Sequence, residues 1–250
     1  MGTEWKDNQE VADGFEAYDD LPERVIGYPT VFDRLRLGDP GVGRVLDYGC
    51  GPGKVALRAA ESRDVDVVAV DISAWMLGIA RERRSHPRIR HHLIDGGRLP
   101  FLADGSVDAA MSCYVFINIG DPGTIRAIAA EIHRVLRPGG RYCVLDTHPD
   151  TTGIRFSTFC SGEPGRRYAP GERRPVRLHH RPGGVLDLAD HHWPREFYTD
   201  VFTGAGFASV TAEAPLLGDV PDPGGPGPLL GAGAAEADHP PFLIVTGVKE

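Results

Sequence analysis

The amino-acid sequence predicts an α/β fold in which helices cover both faces of a mostly parallel sheet. Three observations support this prediction. Short apolar runs alternate with helical patterns, a glycine-rich turn follows the first run, and an aspartate ends the second. Parallel strands that are buried on both faces are typically continuous apolar runs, and helices form the crossovers between them. The chain has 250 residues, a length that suits one large α/β domain.

The first half of the chain has the clearest strand and helix patterns. Strands are predicted for RVLDYG at 44–49, VDVVAVD at 65–71, VDAAMSCY at 107–114 and GRYCVLD at 140–146. Helices are predicted for 54–62, 73–84 and 124–136, where apolar residues recur at intervals of three and four. The third helix is expected to end at 137–140, because the sequence Arg-Pro-Gly-Gly cannot continue a helix.

Residues 147–193 interrupt this alternation with a segment rich in Gly, Pro, Arg and His. Within it, 175–180 and 185–190 predict two strands joined by an RPGG turn. The alternation then resumes with a helix near 194–205 and strands near 207–214 and 242–249. A Pro/Gly-rich loop is predicted for 218–241.

Charge and composition narrow the classes of function. The net charge is −8, which disfavours nucleic acid as a partner because affinity for phosphates depends largely on Lys and Arg. No apolar stretch reaches the length of about 18 residues that a membrane span needs, so no membrane partner is expected. The cysteines form no CxxC pair, which predicts reduced thiols in a cytoplasmic protein and no metal site.

The strongest motif is a glycine-rich turn, Gly49-Cys50-Gly51-Pro52-Gly53, between the first strand and the first helix of the sheet. Glycines at alternate positions let the backbone turn tightly and approach a ligand closely. Lys54 breaks the GxGxxG pattern of dinucleotide sites, which makes a NAD-dependent dehydrogenase a distant alternative. Asp71 ends the second strand 18 residues after Gly53, where its carboxylate can accept both hydroxyls of a ribose. These features predict a nucleoside site at the carboxyl ends of the strands.

An ordered series of motifs along 40–146 resembles the class I S-adenosylmethionine (SAM)-dependent methyltransferases. The series is LDYGCGPG, VDISAWMLGIAR, IDGGRLPF, VDAAMSCYVFINI and RVLRPGGRY. The second and third motifs look like the small-molecule branch, which includes the menaquinone and ubiquinone methyltransferases. The resemblance implies a Rossmann-like sheet of seven strands, mostly parallel with the last strand antiparallel. It also implies an enzyme that uses SAM and releases S-adenosylhomocysteine.

The same resemblance divides the single domain, 1–250, into four parts. Residues 1–38 form a helical cap, 39–146 the SAM-binding core, 147–193 a lid over the acceptor after the fifth strand, and 194–250 the rest of the sheet. A small-molecule acceptor is expected, and homo-oligomer formation stays open.

The resemblance also implies roles for individual residues in binding SAM. The glycine turn would approach the methionine part, Asp47 would receive its ammonium, and the Cys113 carbonyl would offer a second acceptor. Asp71 would hold the ribose, and Ile72 and Met76 would flank the adenine. Asp95 and the Gly96 N–H would contact the adenine ring. The cofactor-binding set is thus Asp47, Gly49, Cys50, Gly51, Asp71, Ile72, Met76, Asp95, Gly96 and Cys113.

Simpler structural roles exist for several of these residues. Asp71 or Ser73 would serve equally well as the N-cap of the following helix. Asp95 precedes two glycines and is also typical of a turn. Met76 is suited to core packing as well as to an adenine wall.

Substrate contacts are expected from three places: the N-terminal arm, the end of the fourth strand, and residues 146–149 just past the fifth strand. In the relatives, an N-terminal helix folds over the acceptor, which implies this role for Tyr18 and Tyr28, with Trp5 a weaker candidate. Phe116 would form a wall of the pocket after the fourth strand, and Trp193 is a further substrate-binding candidate.

SAM carries its own leaving group, so a protein base is needed only to take a proton from the acceptor. His148, just past the fifth strand, is the best-placed base, and His191 and His192 compete with it. The absence of histidine near Ile117 and Asn118, where relatives often have one, weakens a base at that place.

The insertion is also locally basic, because only two glutamates oppose its seven arginines between 155 and 181. The seven arginines are Arg155, Arg166, Arg167, Arg173, Arg174, Arg177 and Arg181. These arginines indicate either binding of an acidic acceptor or carrier protein, or a solvated surface hairpin, and we favour the hairpin.

Two other functions stay open: methylation of RNA or protein, and a SAM-binding protein without methyl transfer. The segment Cys113–Phe116 lacks the (N/D)PP(F/Y) tetrapeptide that base-amino and glutamine methyltransferases carry, which argues against the first.

Overall fold

Ten strands and six α-helices make up the computed structural model within residues 8–180, 183–219 and 234–250, the part of the chain that the structure describes. The strands are β1 (Arg44–Tyr48), β2 (Asp66–Asp71), β3 (Ile89–Leu93), β4 (Val107–Cys113), β5 (Leu136–Thr147), β6 (Phe159–Ser161), β7 (Arg173–His179), β8 (Val185–His191), β9 (Ala208–Glu213) and β10 (Phe242–Val248). The helices are α1 (Gln9–Ala17), α2 (Tyr28–Arg34), α3 (Lys54–Arg63), α4 (Ala74–Arg83), α5 (Pro122–Val135) and α6 (Arg195–Gly204).

Seven of the strands form the main sheet, in the order β3-β2-β1-β4-β5-β10-β9. The first five pair in parallel, and β10 runs antiparallel between β5 and β9. This confirms the predicted mostly parallel sheet of seven strands with the last strand antiparallel. Strand β5 begins at Leu136, earlier than predicted, because Gly139 and Gly140 continue its backbone pairing with Lys249.

The predicted helices α3 to α6 are confirmed, and their ends have identifiable local causes. Asp121 caps α5 by accepting from the Thr124 N–H at 2.7 Å, and Pro122 follows at the first helical position. Ser73 caps α4 by accepting from the Met76 N–H at 3.3 Å. Because Ser73 is the cap, the carboxylate of Asp71 makes other contacts.

Apolar side chains on successive residues of the central strands enter two separate cores, one on each face of the sheet. On β1, Val45 packs with α3 and the N-terminal helices, whereas Leu46 packs with α5 and α6. This is the alternation that the two-residue period of a strand requires. In the second core, the rings of Tyr142 and Phe202 stack with centroids 4.8 Å apart.

The insertion after β5 forms a second, antiparallel sheet in the order β6-β7-β8. The sequence predicts only β7 and β8, because β6 has three residues and shows no pattern of its own. Arg174 on β7 forms an ion pair with Asp190 on β8 at 2.7 Å and donates to Thr147 Oγ1 at 2.6 Å. Since Thr147 ends β5, these bonds attach the small sheet to the carboxyl edge of the main sheet.

Candidate active site

A deep cavity lies between the carboxyl ends of β1, β2 and β4, the N-terminal helices and the small sheet. Open α/β sheets bind ligands at this end of their strands, and the cavity therefore lies where the fold predicts a site. Ten of the residues predicted from the sequence line it: Tyr18, Tyr28, Asp47, Gly49, Cys50, Gly51, Asp71, Ile72, Met76 and Cys113.

The glycine turn forms one wall of the cavity in a conformation that favours glycine. Gly49 has a φ of 78°, and a Cβ there would lie 2.4 Å from Cγ2 of Val115. Gly51 has a φ of 52° and has only open space where a Cβ would extend. The Gly49 and Cys50 N–H groups donate to the Val70 carbonyl at 2.8 and 2.9 Å, which fixes the turn against the end of β2. A ligand can therefore approach this backbone closely.

Asp71 connects the glycine turn to the start of α4. Its Oδ2 accepts from the Gly51 N–H at 2.7 Å, and its Oδ1 accepts from the Ser73 N–H at 2.8 Å. Burial raises the pKa of this carboxyl, while the bonds from the Ser73, Gly51 and Ile72 N–H groups favour its ionised form. The side chain is 8% exposed, at the edge of the cavity where the ribose is predicted.

The part of the cavity lined by the glycine turn, Asp47 and Asp71 is called the cofactor half, and the part lined by the N-terminal segment and the small sheet the acceptor half, after the roles predicted for them. Asp47 is the most deeply buried carboxyl of the cofactor half, with 1% of its surface exposed. Its Oδ2 has no hydrogen-bond partner within the described residues. Burial, and then the charge of Asp71, raise the pKa of this carboxyl to about 7. A buried carboxylate oxygen without a hydrogen-bond partner is costly, so a cationic ligand group here would be strongly favoured. The ammonium that the resemblance assigns to this place fits the observed arrangement.

Asp95 and Gly96, which the resemblance places against the adenine, follow β3 and are exposed. The Ile94 N–H donates to the Asp71 carbonyl at 2.9 Å, which holds this segment beside the end of β2. Neither residue is among those that line the cavity, whereas Ile72 and Met76 are buried in its wall. Adenine contacts for all four residues stay a prediction.

The other half of the cavity is formed by the N-terminal segment and the small sheet. Tyr18 and Tyr28 lie on its inner surface, and their roles as acceptor contacts stay a prediction. Lys54 Nζ donates to the carbonyls of Tyr18 at 2.8 Å and Phe15 at 3.3 Å, which attaches the N-terminal segment to the start of α3. The small sheet contributes a mainly apolar wall that consists of Phe159, Val176, Leu178, Leu188 and Ala189.

Glu23, which the sequence analysis does not single out, is buried between these two parts with 3% of its surface exposed. Its Oε1 accepts from the Tyr18 hydroxyl at 2.8 Å, and that hydroxyl lies 2.8 Å from Thr158 Oγ1. Burial raises the pKa of this carboxyl to about 8. A glutamate in a stretch with many acidic residues carries no sequence signal, and only the fold shows that this one points inward.

Phe116 and Trp193, which are predicted as substrate contacts, do not line the cavity. Phe116 is fully buried in the second core and stacks on Tyr198 with centroids 5.9 Å apart. Trp193 donates from Nε1 to the Ile119 carbonyl at 3.0 Å and stacks on Phe197. The next residues after Phe116, Ile117 and Asn118, contribute to the lining instead. Trp5 lies outside the described residues.

His148, the predicted base, is also absent from the cavity lining. Its Nδ1 accepts from the Asp150 N–H at 3.2 Å and caps the short 3-10 turn Pro149–Thr151. Burial lowers the pKa of this imidazole, as expected for a ring without a carboxylate bonded to it. The role that the structure shows for His148 is therefore local capping. His191 and His192 likewise lie outside the lining.

The arginines of the insertion have mixed surroundings. Arg174 is buried in its ion pair, whereas Arg166 and Arg177 form exposed pairs with Glu163 and Asp187. Arg181 lies outside the described residues. No cluster of metal-ligating side chains occurs in the described ranges, and no helix among them has the length and apolarity of a bilayer span.

Comparisons with known proteins show the family to which this chain is similar. A sequence profile described as a methyltransferase domain matches residues 45–140. The chain is 37% identical over 250 residues to N-demethylindolmycin N-methyltransferase from Streptomyces griseus, with 99% of each chain covered. It is 33% identical over 192 residues to a ubiquinone/menaquinone biosynthesis C-methyltransferase from Desulfotalea psychrophila, with 74% of each covered. The crystal structure of an S-adenosylmethionine-dependent methyltransferase from Mesorhizobium loti matches with a TM-score of 0.57 at 23% identity, over 87% of this chain and 97% of that one.

Proposed function

The chain belongs to the SAM-dependent methyltransferases, and from this premise we propose that it methylates a nitrogen atom of a small molecule related to N-demethylindolmycin. The observation that carries the proposal is the 37% identity with an N-methyltransferase across 99% of both chains. The match includes the N-terminal segment and the small sheet, which form the acceptor half of the cavity. A specialised metabolite is accordingly the expected product.

The cofactor half of the cavity suits the parts of SAM, which when bound supplies an electrophilic methyl group and a thioether leaving group. Asp47 offers a buried carboxylate to an ammonium, and Asp71 offers its carboxylate to the ribose hydroxyls. The glycine turn leaves room for close approach at Gly51. These residues hold the cofactor, and no step requires them to react.

The acceptor half supports transfer by position and by exclusion of water. Aromatic and aliphatic side chains cover it on the N-terminal side and the small-sheet side. Holding a nucleophile in line with the breaking bond supplies much of the acceleration in a displacement of this kind. Walls of this type favour a compact organic acceptor over a nucleic acid, as does the net charge of −8. Four free cysteines support a cytoplasmic location.

The test is an assay with SAM and N-demethylindolmycin, followed by mass spectrometry and NMR of the product. We expect release of S-adenosylhomocysteine and a product that carries one added methyl group on nitrogen. A quinol and a phenol of similar size, offered under the same conditions, serve as carbon and oxygen acceptors. Methylation of either of these with no product from nitrogen acceptors would contradict the proposal.

A further inference from the structure

Five carboxyl groups line the cavity, and four of them already have an ionic partner or a predicted partner in the cofactor. Asp47 and Asp71 belong to the cofactor side. Asp20 pairs with Arg24 at 3.2 Å, and Asp190 pairs with Arg174 at 2.7 Å. Glu23, the fifth, has no ion pair within the described part of the chain.

The hydrogen bonds of Glu23 leave one of its oxygens available to a ligand. Oε1 accepts from the Tyr18 hydroxyl, whereas Oε2 is buried and has no partner among residues 8–180, 183–219 and 234–250. The hydroxyl of Tyr114, which also lines the cavity, lies near Glu23 and favours its ionised form, although no hydrogen bond of ordinary geometry joins the two groups in that part of the chain. Native proteins seldom leave a buried carboxylate oxygen without a well-aligned donor, so a polar group of a ligand is expected at Oε2.

The local backbone explains why Glu23 points into the cavity. Residues Glu23–Gly27 form one turn of π-helix, in which the Tyr28 N–H donates to the Glu23 carbonyl. Such turns are rare and occur frequently at functional sites. The turn lies directly before α2, so the start of that helix fixes the position of the glutamate.

The titratable groups around Glu23 come from several elements. Tyr18 and Asp20 precede the π-helical turn, and Tyr28 begins α2. Tyr114 follows β4, and Lys54 begins α3. Burial raises the pKa of Glu23 most and the charge of Asp20 adds to this, while the hydroxyls of Tyr18 and Tyr114 favour the ionised form. The group can therefore change its protonation state near neutral pH, as a general base must.

We propose that Glu23 is a catalytic residue, the general base that receives the proton of the acceptor nitrogen. This inference rests on the proposed nitrogen acceptor. In the transfer, the nitrogen lone pair forms the N–CH₃ bond while the S–CH₃ bond breaks and its electron pair stays on sulfur. The nitrogen would carry a positive charge, and its proton passes to Oε2 of Glu23.

The first test compares Glu23→Gln with the wild type, with N-demethylindolmycin as the acceptor. General bases typically contribute a factor of about 100 to 10,000, so we expect kcat to fall at least about 100-fold. SAM affinity, measured by calorimetry, should stay unchanged because Glu23 lies on the acceptor side. A kcat within about twofold of the wild type would overturn the proposal.

The matched control is Glu131→Gln, the same change at another buried carboxyl. Glu131 lies on α5, away from the cavity, and bonds the Leu99 N–H and Arg134. Its loss should lower the thermal stability but leave kcat and the pH dependence of the rate as in the wild type. An equal fall in kcat in this control would contradict a special role for Glu23.

The second test is the pH profile of kcat/KM, which does not depend on whether Glu23→Gln folds. The wild-type rate should rise through the pKa of Glu23, near 8. Tyr18→Phe removes a hydrogen bond that favours the carboxylate, so it should raise that pKa and move the rising limb to higher pH. A rising limb of the kcat/KM profile at the same pH in Tyr18→Phe as in the wild type would overturn the proposal. Absence of N-methylated product from the wild type would instead contradict the proposed function itself.

Discussion

At the scale of single residues, the cavity contains carboxyl groups that burial makes unfavourable in the free protein. The pKa of Asp47 is raised from an ordinary value of 3.8 to about 7, chiefly by burial. The folded state then binds a proton more tightly than the unfolded state. The proton bound to Asp47 therefore contributes fully to the free energy of unfolding below about pH 4, and this contribution is lost as pH rises through about 7. Above about pH 7 the buried carboxylate of Asp47 destabilises the free protein, and a bound cationic ligand would offset this loss of stability.

Asp47→Asn should therefore stabilise the free protein and weaken SAM binding. Above pH 7 the variant lacks the buried charge, so its melting temperature should exceed that of the wild type at pH 8 and approach it at pH 4. Loss of the ammonium contact should reduce SAM affinity at least about tenfold, or about 1.4 kcal/mol. Thermal unfolding and calorimetry at both pH values measure the two effects.

Asp33→Asn is the matched control, because Asp33 is exposed on α2, makes only an exposed ion pair with Arg63 and does not line the cavity. It should change neither quantity. Lower stability of Asp47→Asn at pH 8, or wild-type affinity for SAM, would contradict the account of this residue.

At the scale of elements, the small sheet depends on one buried ion pair. Arg174 is 1% exposed and contacts both Asp190 and Thr147. The expected effect of Arg174→Met is a loss of about 3 to 5 kcal/mol in the free energy of unfolding, because Asp190 is left buried and unpaired. Since β7 and β8 form a wall of the acceptor half, the KM for the acceptor should rise as well. Urea unfolding and steady-state kinetics provide the measurements.

Two further variants isolate the cause of that loss. Arg174→Met combined with Asp190→Leu removes both charges and should recover most of the lost stability. Arg177→Met breaks the exposed pair with Asp187 on the same two strands and should cost less than about 1 kcal/mol. Equal losses in Arg174→Met and Arg177→Met would show that burial of the pair is not the reason.

Strands that carry a pattern of their own could be predicted from the sequence, and two strands without such a pattern could not. Strands β1, β2, β4 and β10 are continuous apolar runs, whereas β7 alternates exposed and buried residues. Strand β3, with the sequence IRHHL, lies at the edge of the main sheet and is largely half-buried. Its polar residues therefore leave no apolar run from which a strand could be predicted. Strand β6 is recognisable only through its pairing with β7.

At the scale of the whole molecule, the residues of the cofactor half could be predicted to lie together, because local motifs build that part of the cavity. The glycine turn and Asp71 are set by their own strands, and the structure brings them together at one edge. The acceptor half is assembled from the N-terminal segment, the end of β4 and the small sheet, which are far apart in the sequence. That is why the sequence does not single out Glu23, and why it favours Phe116 and Trp193 as substrate contacts although both side chains pack in the second core.

The central claim is that this edge of the sheet binds SAM through Asp71 and its neighbours. The most direct test is calorimetric titration of the wild type and of Asp71→Ala with SAM, and of the wild type with NAD, with circular dichroism to verify folding. We expect binding of SAM to the wild type, no heat with NAD, and at least about tenfold weaker binding of SAM to the variant. No heat with SAM, or unchanged affinity in folded Asp71→Ala, would contradict the account.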